Sequence, residues 1–462
     1  MEQNWQIKKL NEVSKIIMGQ SPPSDTYNEN AKGMPFFQGK AEFTDLYPVV
    51  KKYCSKPTKI AEPLDILLSV RAPVGTTNIA NQQCCIGRGL AAIRFENYKY
   101  GFYFLRSIQH ELDSKGTGTT FKAISGETIR ETLIPFPNPE TQQAIVSKIE
   151  ELFSELDKGI EDLKTAQQQL KTYRQSVLKW AFEGKLTKNW RLKKVDIQSS
   201  SDITNKILLE KEAFYLKQLN EWKKELVQFD KNNIKKPSKP KSLTIPDKPS
   251  DLHNEKKWEI PSNWLWTQLG TICFVTKLAG FEYTDYVKYD DNGNLPVLKA
   301  ENVGNNGFKY TDFSKVKSES VEMLKRSKLH GGELLIVFVG AGTGNIGTVP
   351  TGEYFLGPNI GMARPYIDAN SKYIEYFYQS TIGKSLMMTA VKAVAQPSLS
   401  MATIRQAPIP LPQLEEQHQI VQEIESRLSV ADKMEESIAQ SLQQAEALRQ
   451  SILKKAFSGE LV

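Results

Sequence analysis

Short apolar runs separated by polar, glycine-containing loops make up most of residues 1–133. Apolar and β-branched residues are concentrated in 34–38 (MPFFQ), 65–70 (DILLSV) and 90–95 (LAAIRF), and these runs have the length of buried strands. Residues 101–112 (GFYFLRSIQHEL) instead have the spacing of an amphipathic helix. Strands therefore dominate this part of the chain, with one or two helices, and the pattern predicts an α+β unit.

A much longer periodic stretch follows, and it predicts one long helix. Apolar or small residues alternate at steps of four and three, which is the spacing of a coiled-coil seam. Pro137 and Pro139 end the extended segment before it, and Gly184 is a plausible stop. The predicted seam is Ile145, Ile149, Leu152, Leu156, Gly159, Leu163, Ala166, Leu170, Tyr173 and Val177.

This stretch occurs twice in the chain. Residues 134–186 align without a gap to residues 409–461, at a constant offset of 275, with 24 identical pairs in 53 positions. About 43 helical residues would span roughly 60 Å. The second seam holds polar residues, so each helix needs a partner, and the simplest partner is the other copy. The second seam is Ile420, Ile424, Arg427, Ala431, Met434, Ile438, Ser441, Ala445, Leu448 and Ile452.

The duplication extends to the strand-rich units. Residues 332–347 (GELLIVFVGAGTGNIG) correspond to residues 64–80, and Thr403-Ile404-Arg405 matches Thr128-Ile129-Arg130 at the same offset of 275. We therefore expect two pseudo-twofold-related α+β units joined by two long antiparallel helices that form a coiled coil. The expected divisions are 1–133, 134–190, 191–258, 259–408 and 409–462.

The segment 191–258 has no counterpart after the second repeat. It carries 16 basic and 10 acidic residues, so it holds most of the net charge of +7. Its first part looks like a charged helix, whereas residues 235–250 are rich in Pro, Lys and Ser. A solvated tether explains the second part better than a dedicated DNA-binding arm does.

The candidate chemistry is sparse. The four cysteines and four histidines are scattered without paired metal-ligand spacing, which indicates a reduced, metal-free, cytoplasmic protein. No signal peptide opens the chain, and no apolar run approaches the ~18–20 residues of a membrane span. There is no P-loop, nucleophile elbow or zinc-protease motif, and the many carboxylates lie along helix surfaces. We predict no catalytic residue.

One glycine pattern resembles a nucleotide loop. Residues 342–347 (GTGNIG) fit G-x-G-x-x-G after a strand, yet Pro350 and Gly352 follow where a phosphate-binding helix should begin. The pattern therefore predicts a tight turn rather than a dinucleotide site.

Loops rich in Ser, Thr, Asn, Gln, Arg and Lys, held on strands, suit base-edge recognition and phosphate contacts. For any one of them an ordinary polar loop residue is the simpler interpretation. The candidates in the first unit are Gln20, Ser21, Gln38, Lys40, Arg71, Thr76, Thr77, Asn78, Thr119 and Lys122. Those in the second unit are Lys299, Asn302, Thr343, Asn345, Gln396 and Ser398.

The whole plan resembles the specificity subunit of Type I restriction–modification systems. The most specific marks are I-P-x-P-x-x-x-x-Q-x-x-I-V at 134–146 and 409–421, R-Q-S-x-L-K-x-A-F-x-G at 174–184 and 449–459, and IPSNWLWTQLG at 260–270. The resemblance implies that each α+β unit is a target recognition domain for half of a split double-stranded DNA site. It also implies that the helices set the spacing and dock two modification subunits.

The resemblance assigns the chemistry to other chains. Adenine-N6 methylation would use S-adenosylmethionine on the modification subunits, and ATP-driven, Mg-dependent cleavage would need two restriction subunits to join. No cofactor is expected in this chain, which is a bacterial or archaeal protein by this resemblance. The alternative is a coiled-coil scaffold whose two end domains bind proteins or another ligand.

Overall fold

The computed structural model describes residues 5–118, 122–194, 200–232, 239–240, 259–366, 368–388 and 398–462. The chain divides into two compact units. The first comprises Met1–Gln167 and Glu436–Val462, and the second comprises Gln168–Glu435. Each unit therefore contains one α+β domain together with part of both long helices.

The first domain is built mainly from short strands, as its apolar runs predict. Its strands are β1 (Gln6–Lys9), β2 (Ser14–Met18), β3 (Tyr27–Asn28), β4 (Met34–Phe37), β5 (Lys52–Cys54), β6 (Ile60–Ala61), β7 (Ile66–Ser69), β8 (Thr77–Ile79), β9 (Cys84–Ile86), β10 (Leu90–Phe95) and β11 (Leu133–Phe136). Its helices are α1 (Leu10–Val13), α2 (Tyr98–Ser107), α3 (Gln109–Ser114) and α4 (Gly126–Arg130).

In the described part of the chain, three helices follow the first domain, and the second domain then repeats its plan. The helices are α5 (Pro139–Phe182), α6 (Lys188–Lys193) and α7 (Ser200–Asn232). The strands of the second domain are β12 (Leu265–Gln268), β13 (Cys273–Lys277), β14 (Leu295–Leu298), β15 (Val303–Gly304), β16 (Gly307–Phe308), β17 (Lys315–Val316), β18 (Lys328–Leu329), β19 (Leu334–Val337), β20 (Ile346–Thr348), β21 (Tyr354–Leu356), β22 (Ile360–Pro365) and β23 (Pro408–Leu411). Its helices are α8 (Leu269–Ile272), α9 (Gly280–Tyr286), α10 (Ser371–Gln379), α11 (Thr381–Met388) and α12 (Met401–Gln406), and α13 (Leu414–Ser458) ends the chain.

Matching sheets form the cores of the two domains. One sheet has the order β2-β10-β7-β8 in the first domain and β13-β22-β19-β20 in the second. A second sheet contains a parallel pair in each domain, β4 with β9 and β14 with β21. The strand β7 is buried along its whole length, and so is β19, because the two faces of each strand pack on different hydrophobic clusters. The predicted α+β class and the repeated domains are confirmed.

Repeated hydrogen bonds attach each domain to the strand that leads into its long helix. The Tyr100 hydroxyl donates to the Pro135 carbonyl oxygen over 2.6 Å, and the Tyr373 hydroxyl donates to that of Pro410 over the same distance. The prolines are equivalent positions of the repeat, because they differ by 275. Burial raises the pKa of both tyrosines, so the hydroxyls remain protonated donors at any physiological pH.

The two long helices begin and end by the same means. At the start, the side-chain amide of Gln142 donates to the Pro137 carbonyl, and that of Gln417 donates to the Pro412 carbonyl. At the end, Gly184 has φ +71° and Gly459 has φ +84°, a left-handed conformation that glycine adopts without strain. No helix in the described part of the chain is both long and apolar enough to cross a membrane.

The buried positions of α13 follow a seam that differs in part from the predicted one. Ile420, Ile424, Ile438 and Ile452 are buried, but Met434 and Leu448 are 53% and 51% exposed. Steps of four and three instead run through Ile424, Leu428, Ala431, Glu435, Ile438, Leu442, Ala445, Arg449, Ile452 and Ala456, none of which is exposed. The seam prediction is therefore wrong at Met434 and Leu448.

The cause of this error is that charged residues occupy the seam. Arg174 donates to Asp432 over 2.6 Å and to Glu435 over 2.9 Å in the second unit. Arg449 pairs with Asp157 in the first unit, with its guanidinium over the Phe153 ring. The two Arg–Asp pairs join repeat-equivalent residues with the roles of the helices exchanged.

Helix α5 uses its predicted seam residues more completely. Ile145 and Ile149 are fully buried in the core of the first domain, and Leu152, Leu156 and Leu163 are partly buried. Leu170 and Tyr173 are also partly buried, and Tyr173 packs on the core of the second unit. Their repeat partners in α13 are less apolar, which is why the first copy gave the clearer pattern.

Helix α7 lies in the segment whose role the sequence left open, and it packs on the second domain. Ile203 and Ile207 are buried in the core of that domain. Lys206 pairs with Asp368 at 2.9 Å, and the Phe214 ring lies 5.5 Å from that of Phe274. This part of the segment is therefore a cover of the second domain, whereas most of the Pro/Lys-rich stretch lies outside the described residues.

A fully buried carboxylate joins α13 to the residues before and inside the second domain. Glu416 is 0% exposed. Its oxygens accept hydrogen bonds from the Thr187 hydroxyl (2.8 Å), the Asn263 amide (3.2 Å) and the Trp264 indole N–H (3.0 Å), and it also pairs with Arg191. Because the carboxylate has four partners in a dry environment, it is satisfied there. The equivalent position of the first copy is Thr141, so this network belongs to the second unit alone.

Candidate nucleic-acid interface

Five loops of the first domain meet at the ends of its central strands. We call them the first loop cluster: residues 19–21, 38–40, 70–72, 87–89 and 122–124. Backbone hydrogen bonds of 2.8 to 3.0 Å connect these loops and the strand ends beside them. The Gln20 N–H donates to the Ile86 carbonyl oxygen and the Gly87 N–H to that of Phe37. The other three donors are the N–H groups of Val70, Ala72 and Ile124, which donate to the carbonyl oxygens of Gly89, Lys122 and Val70 in that order. The loops thus form one fixed surface rather than separate flexible connections.

Glycines let the backbones of these loops approach closely. A Cβ at Gly19 would lie 2.2 Å from the Gly87 oxygen, and one at Gly89 would lie 2.3 Å from the Gln38 oxygen. Real side chains do not tolerate such distances, so any larger residue here would push two loops apart. The close contact explains the glycines that flank Arg88.

Most of the predicted residues in the first loop cluster present polar groups to solvent. Gln20, Gln38, Lys40 and Arg71 are exposed, and no acidic side chain of the described residues pairs with Lys40 or Arg71. An exposed basic surface with amide groups beside it can bind phosphates and base edges. The structure therefore brings these four candidates together.

Two further candidates in the cluster already have internal partners. The Ser21 hydroxyl accepts a hydrogen bond from the Arg88 backbone N–H at 3.2 Å. The Lys122 ammonium donates to the Asp113 carboxylate at 2.7 Å, and this bond lowers the pKa of Asp113. Ser21 therefore holds the Arg88 backbone in place, and the positive charge of Lys122 is partly neutralised by Asp113.

Three candidates lie beyond the cluster, around the turn between β7 and β8. Thr76 is half-buried and its hydroxyl lies 3.3 Å from the Pro73 oxygen. Thr77 and Asn78 are buried. The Asn78 side-chain oxygen accepts a hydrogen bond from the Thr44 N–H (3.1 Å), and its side-chain amide donates to the Thr44 carbonyl oxygen (2.7 Å). Because Asn78 serves to hold the loop of Thr44, we leave Thr77 and Asn78 out of the interface.

The second domain has the same framework, which we call the second loop cluster: residues 298–300, 338–340, 357–359 and 398–399. Gly357 N donates to the Leu298 oxygen, Phe338 N to Asn359 and Leu399 N to Phe338, at 2.8, 3.2 and 2.8 Å. These bonds match those of Gly87, Val70 and Ile124 in the first domain. The backbone plan is repeated although the sequences differ.

The side chains on the second framework are less polar. Lys299 follows β14 as Gln38 follows β4, while Val339 and Pro358 stand at the places of Arg71 and Arg88. The Lys299 ammonium donates to the Ser314 hydroxyl at 2.6 Å and lies 4.7 Å from the Tyr289 ring centre. Ser398 is exposed, and its backbone forms an isolated antiparallel β-bridge with Val339. Lys299 and Ser398 are the predicted residues that this cluster contains.

The other predicted residues of the second domain are engaged within it. Asn302 is buried and donates to the Thr311 hydroxyl at 2.6 Å. Thr343 is buried in the turn of the glycine pattern, and its hydroxyl donates to the Gly340 oxygen. Asn345 accepts a hydrogen bond from Lys384 at 2.9 Å. Strand β20 follows this turn at Ile346, so no helix N-terminus is available for a phosphate.

Two candidates cannot be placed, and one residue was missed. Thr119 and Gln396 lie outside the described residues. Arg88, which is exposed in the first loop cluster, was not among the candidates. A basic residue between two glycines and between two apolar strands is the sequence signal that could have identified it.

The chemistry of both clusters is that of recognition. Among the described residues, no group of three or more His, Cys, Asp and Glu side chains could hold a metal ion. One acidic group beside the first loop cluster, Asp113, is paired with Lys122 at 2.7 Å. Hydrogen-bond donors and positive charge are what these surfaces offer.

Comparison with known proteins gives a consistent result. The family profile described as "Type I restriction modification DNA specificity domain" matches residues 2–165 and 261–444. A protein described as type I restriction enzyme MjaX specificity subunit, from Methanocaldococcus jannaschii, is 39% identical over 190 residues, which cover 40% of this chain and 44% of that protein. The local match therefore spans less than half of that relative.

Two full-length similarities complete the comparison. The type I restriction enzyme EcoKI specificity subunit of Escherichia coli K12 is 24% identical, covering 100% of this chain and 90% of that protein. A solved structure concerned with complex assembly and conformational transition of the type I R-M system has a TM-score of 0.64 at 17% identity, covering 99% of this chain and 98% of that one. At that identity the structural match shows the fold alone.

Proposed function

Because the chain belongs to the family of Type I restriction–modification DNA specificity proteins, we propose that its two loop clusters each read one half of a bipartite DNA site. As a specificity subunit the chain is non-catalytic, and it recognises DNA within a restriction–modification complex. The observation that carries the proposal is the repeated framework with different side chains. One backbone plan with two surfaces suits two different half-sites.

The methylation and cleavage chemistry is assigned to partner subunits in this proposal. Two modification subunits bind S-adenosylmethionine and methylate adenine, and two restriction subunits bind ATP and Mg when cleavage is required. The long helices offer these partners apolar side chains that the seam leaves outside. Val430 and Met434, four residues apart on α13, are 52% and 53% exposed and lie on the same face of the helix, where they could contact a partner. Trp180 and Leu448 are further exposed apolar residues of the long helices.

Salt dependence distinguishes DNA reading from the scaffold alternative. DNA affinity falls with salt by a slope of about 0.9 per neutralised phosphate, whereas an apolar protein interface has no such slope. For the complex with its modification subunits, we expect Lys40→Ala to reduce the slope by roughly 0.9. The measurement is the dissociation constant for target DNA over a series of salt concentrations.

The matched control is Lys454→Ala, which removes the same charge from an exposed position of α13 in the same unit. It should leave the slope unchanged. Salt-independent binding by the intact complex would contradict DNA recognition and favour the scaffold.

A further inference from the structure

Arg88 is held at the tip of a rigid turn in the first loop cluster. The turn runs from Gly87 to Leu90, where Leu90 N donates to the Gly87 oxygen at 3.0 Å. The Arg88 N–H is fixed by the Ser21 hydroxyl. On either side, Gly87 and Gly89 are packed against the Gln38 backbone, with no room for a Cβ at Gly89. The position from which the guanidinium projects is therefore fixed before any ligand binds.

The guanidinium itself is free to bind. Arg88 is exposed, and no hydrogen bond or ion pair from its side chain is formed among the described residues. Two arginines of the domain are used internally, since Arg94 forms two hydrogen bonds with Asp65 at 2.7 and 2.8 Å and Arg106 donates to the Asp45 oxygen at 2.8 Å. Arg71, which is also exposed, lies in the same loop cluster but not between two glycines that pack on a neighbouring loop. A fixed backbone with an unused planar donor is an arrangement suited to recognition.

The second domain lacks this feature. Pro358 occupies the tip of the equivalent turn and offers no donor. The arginines of this domain are all engaged: Arg326 with Glu282, Arg364 with Glu333, and Arg405 with the Val275 oxygen. The two loop clusters therefore differ in whether a free guanidinium stands at the tip of this turn.

Resting on the proposed function, we propose that Arg88 is a specificity-determining residue that reads guanine in the half-site of the first domain. In the major groove, guanine presents its O6 and N7 acceptors side by side, and the guanidinium fork donates to both. Lysine, a point charge, matches this pair of acceptors less well. The half-site of the second domain is read without an arginine at this place.

The test compares Arg88→Ala and Arg88→Lys with wild type, each assembled with the modification subunits in a restriction-minus host, by methylome sequencing. Wild type should methylate a bipartite motif with a required guanine in one half. Arg88→Ala should relax that one position by about 5- to 150-fold in the preference for guanine, and leave the other half unchanged. Arg88→Lys should relax the same position less.

Arg130→Ala is the matched control, because Arg130 is an exposed arginine of the same domain at the end of α4, outside the cluster. It should leave the motif unchanged. Equal slowing at all sites by Arg88→Ala with an unchanged motif would identify a phosphate contact and overturn the inference. A methylated motif identical to that of wild type in both Arg88 variants would also overturn the assignment of guanine recognition to Arg88, while leaving the proposed function standing. Absence of methylation by an intact wild-type complex would overturn both.

Discussion

Replacement of Glu416 by alanine should lower the free energy of unfolding of the second unit by about 3–5 kcal/mol, the range found when one partner of a buried ion pair is removed. Glu416 is fully buried, and its partner Arg191 is 14% exposed at its side chain. Without the carboxylate, the Arg191 guanidinium stays largely buried beside an apolar methyl group. The Trp264 indole and the Thr187 hydroxyl lose an acceptor at the same time.

The neighbouring residue provides the control for this effect. Glu415 pairs with Lys194, but its side chain is 65% exposed, so Glu415→Ala should cost no more than about 1 kcal/mol. Hydrogen exchange of the full chain in urea, followed peptide by peptide, reports the stability of each unit separately. Equal protection of residues 259–300 in the two variants would contradict the structural role of Glu416.

Replacement of Phe182 by alanine should destabilise the second unit by about 3–5 kcal/mol, the usual range for a buried Phe. The Phe182 ring is 1% exposed and lies 5.4 Å from the Tyr373 ring and 5.1 Å from the Phe377 ring, both edge-on. Truncation leaves a cavity and removes both edge-to-face contacts. The end of α5 should then exchange its amides faster than in wild type.

The repeat supplies a matched variant for Phe182. Phe457 stands at the equivalent position of α13 and makes the same contacts with Tyr100 and Phe104, at 5.2 and 5.4 Å. It is only partly buried, so Phe457→Ala should lose less stability, and only in the first unit. Hydrogen exchange followed peptide by peptide as the temperature is raised measures the stability of each unit in both variants. A loss in the first unit on Phe182→Ala would contradict the assignment of this contact to the second.

The elements that the sequence predicted well are those with a long periodic signal. The helices α5 and α13 were predictable because the helical spacing of apolar residues occurs in both copies of the repeat, with prolines before and a glycine after each copy. The strands β4, β7 and β10 were predictable because each is a short apolar run between polar loops. Gln20, Gln38, Lys40 and Arg71 could be predicted as exposed loop residues because each comes after a strand, and their contact with DNA stays a prediction.

The errors have a physical cause in tertiary contacts. Met434 and Leu448 were placed in the seam by the register of the first copy, whereas Glu435 and Arg449 lie there, stabilised by Arg174 and Asp157. Asn78 and Asn302 look like any polar loop residue, and only the fold makes them internal supports. The partners of Glu416 come from separate parts of the chain, so no local pattern could have indicated that network.

The most direct test of the whole account is the methylome of a restriction-minus host that expresses this chain with its modification subunit. We expect a bipartite motif with methylated adenine in both halves. Exchanging residues 1–133 for the corresponding domain of a relative should change one half of that motif and leave the other unchanged. No new methylation by a complex shown to be intact, or a change in both halves, would contradict the claim that two separate domains read the two halves.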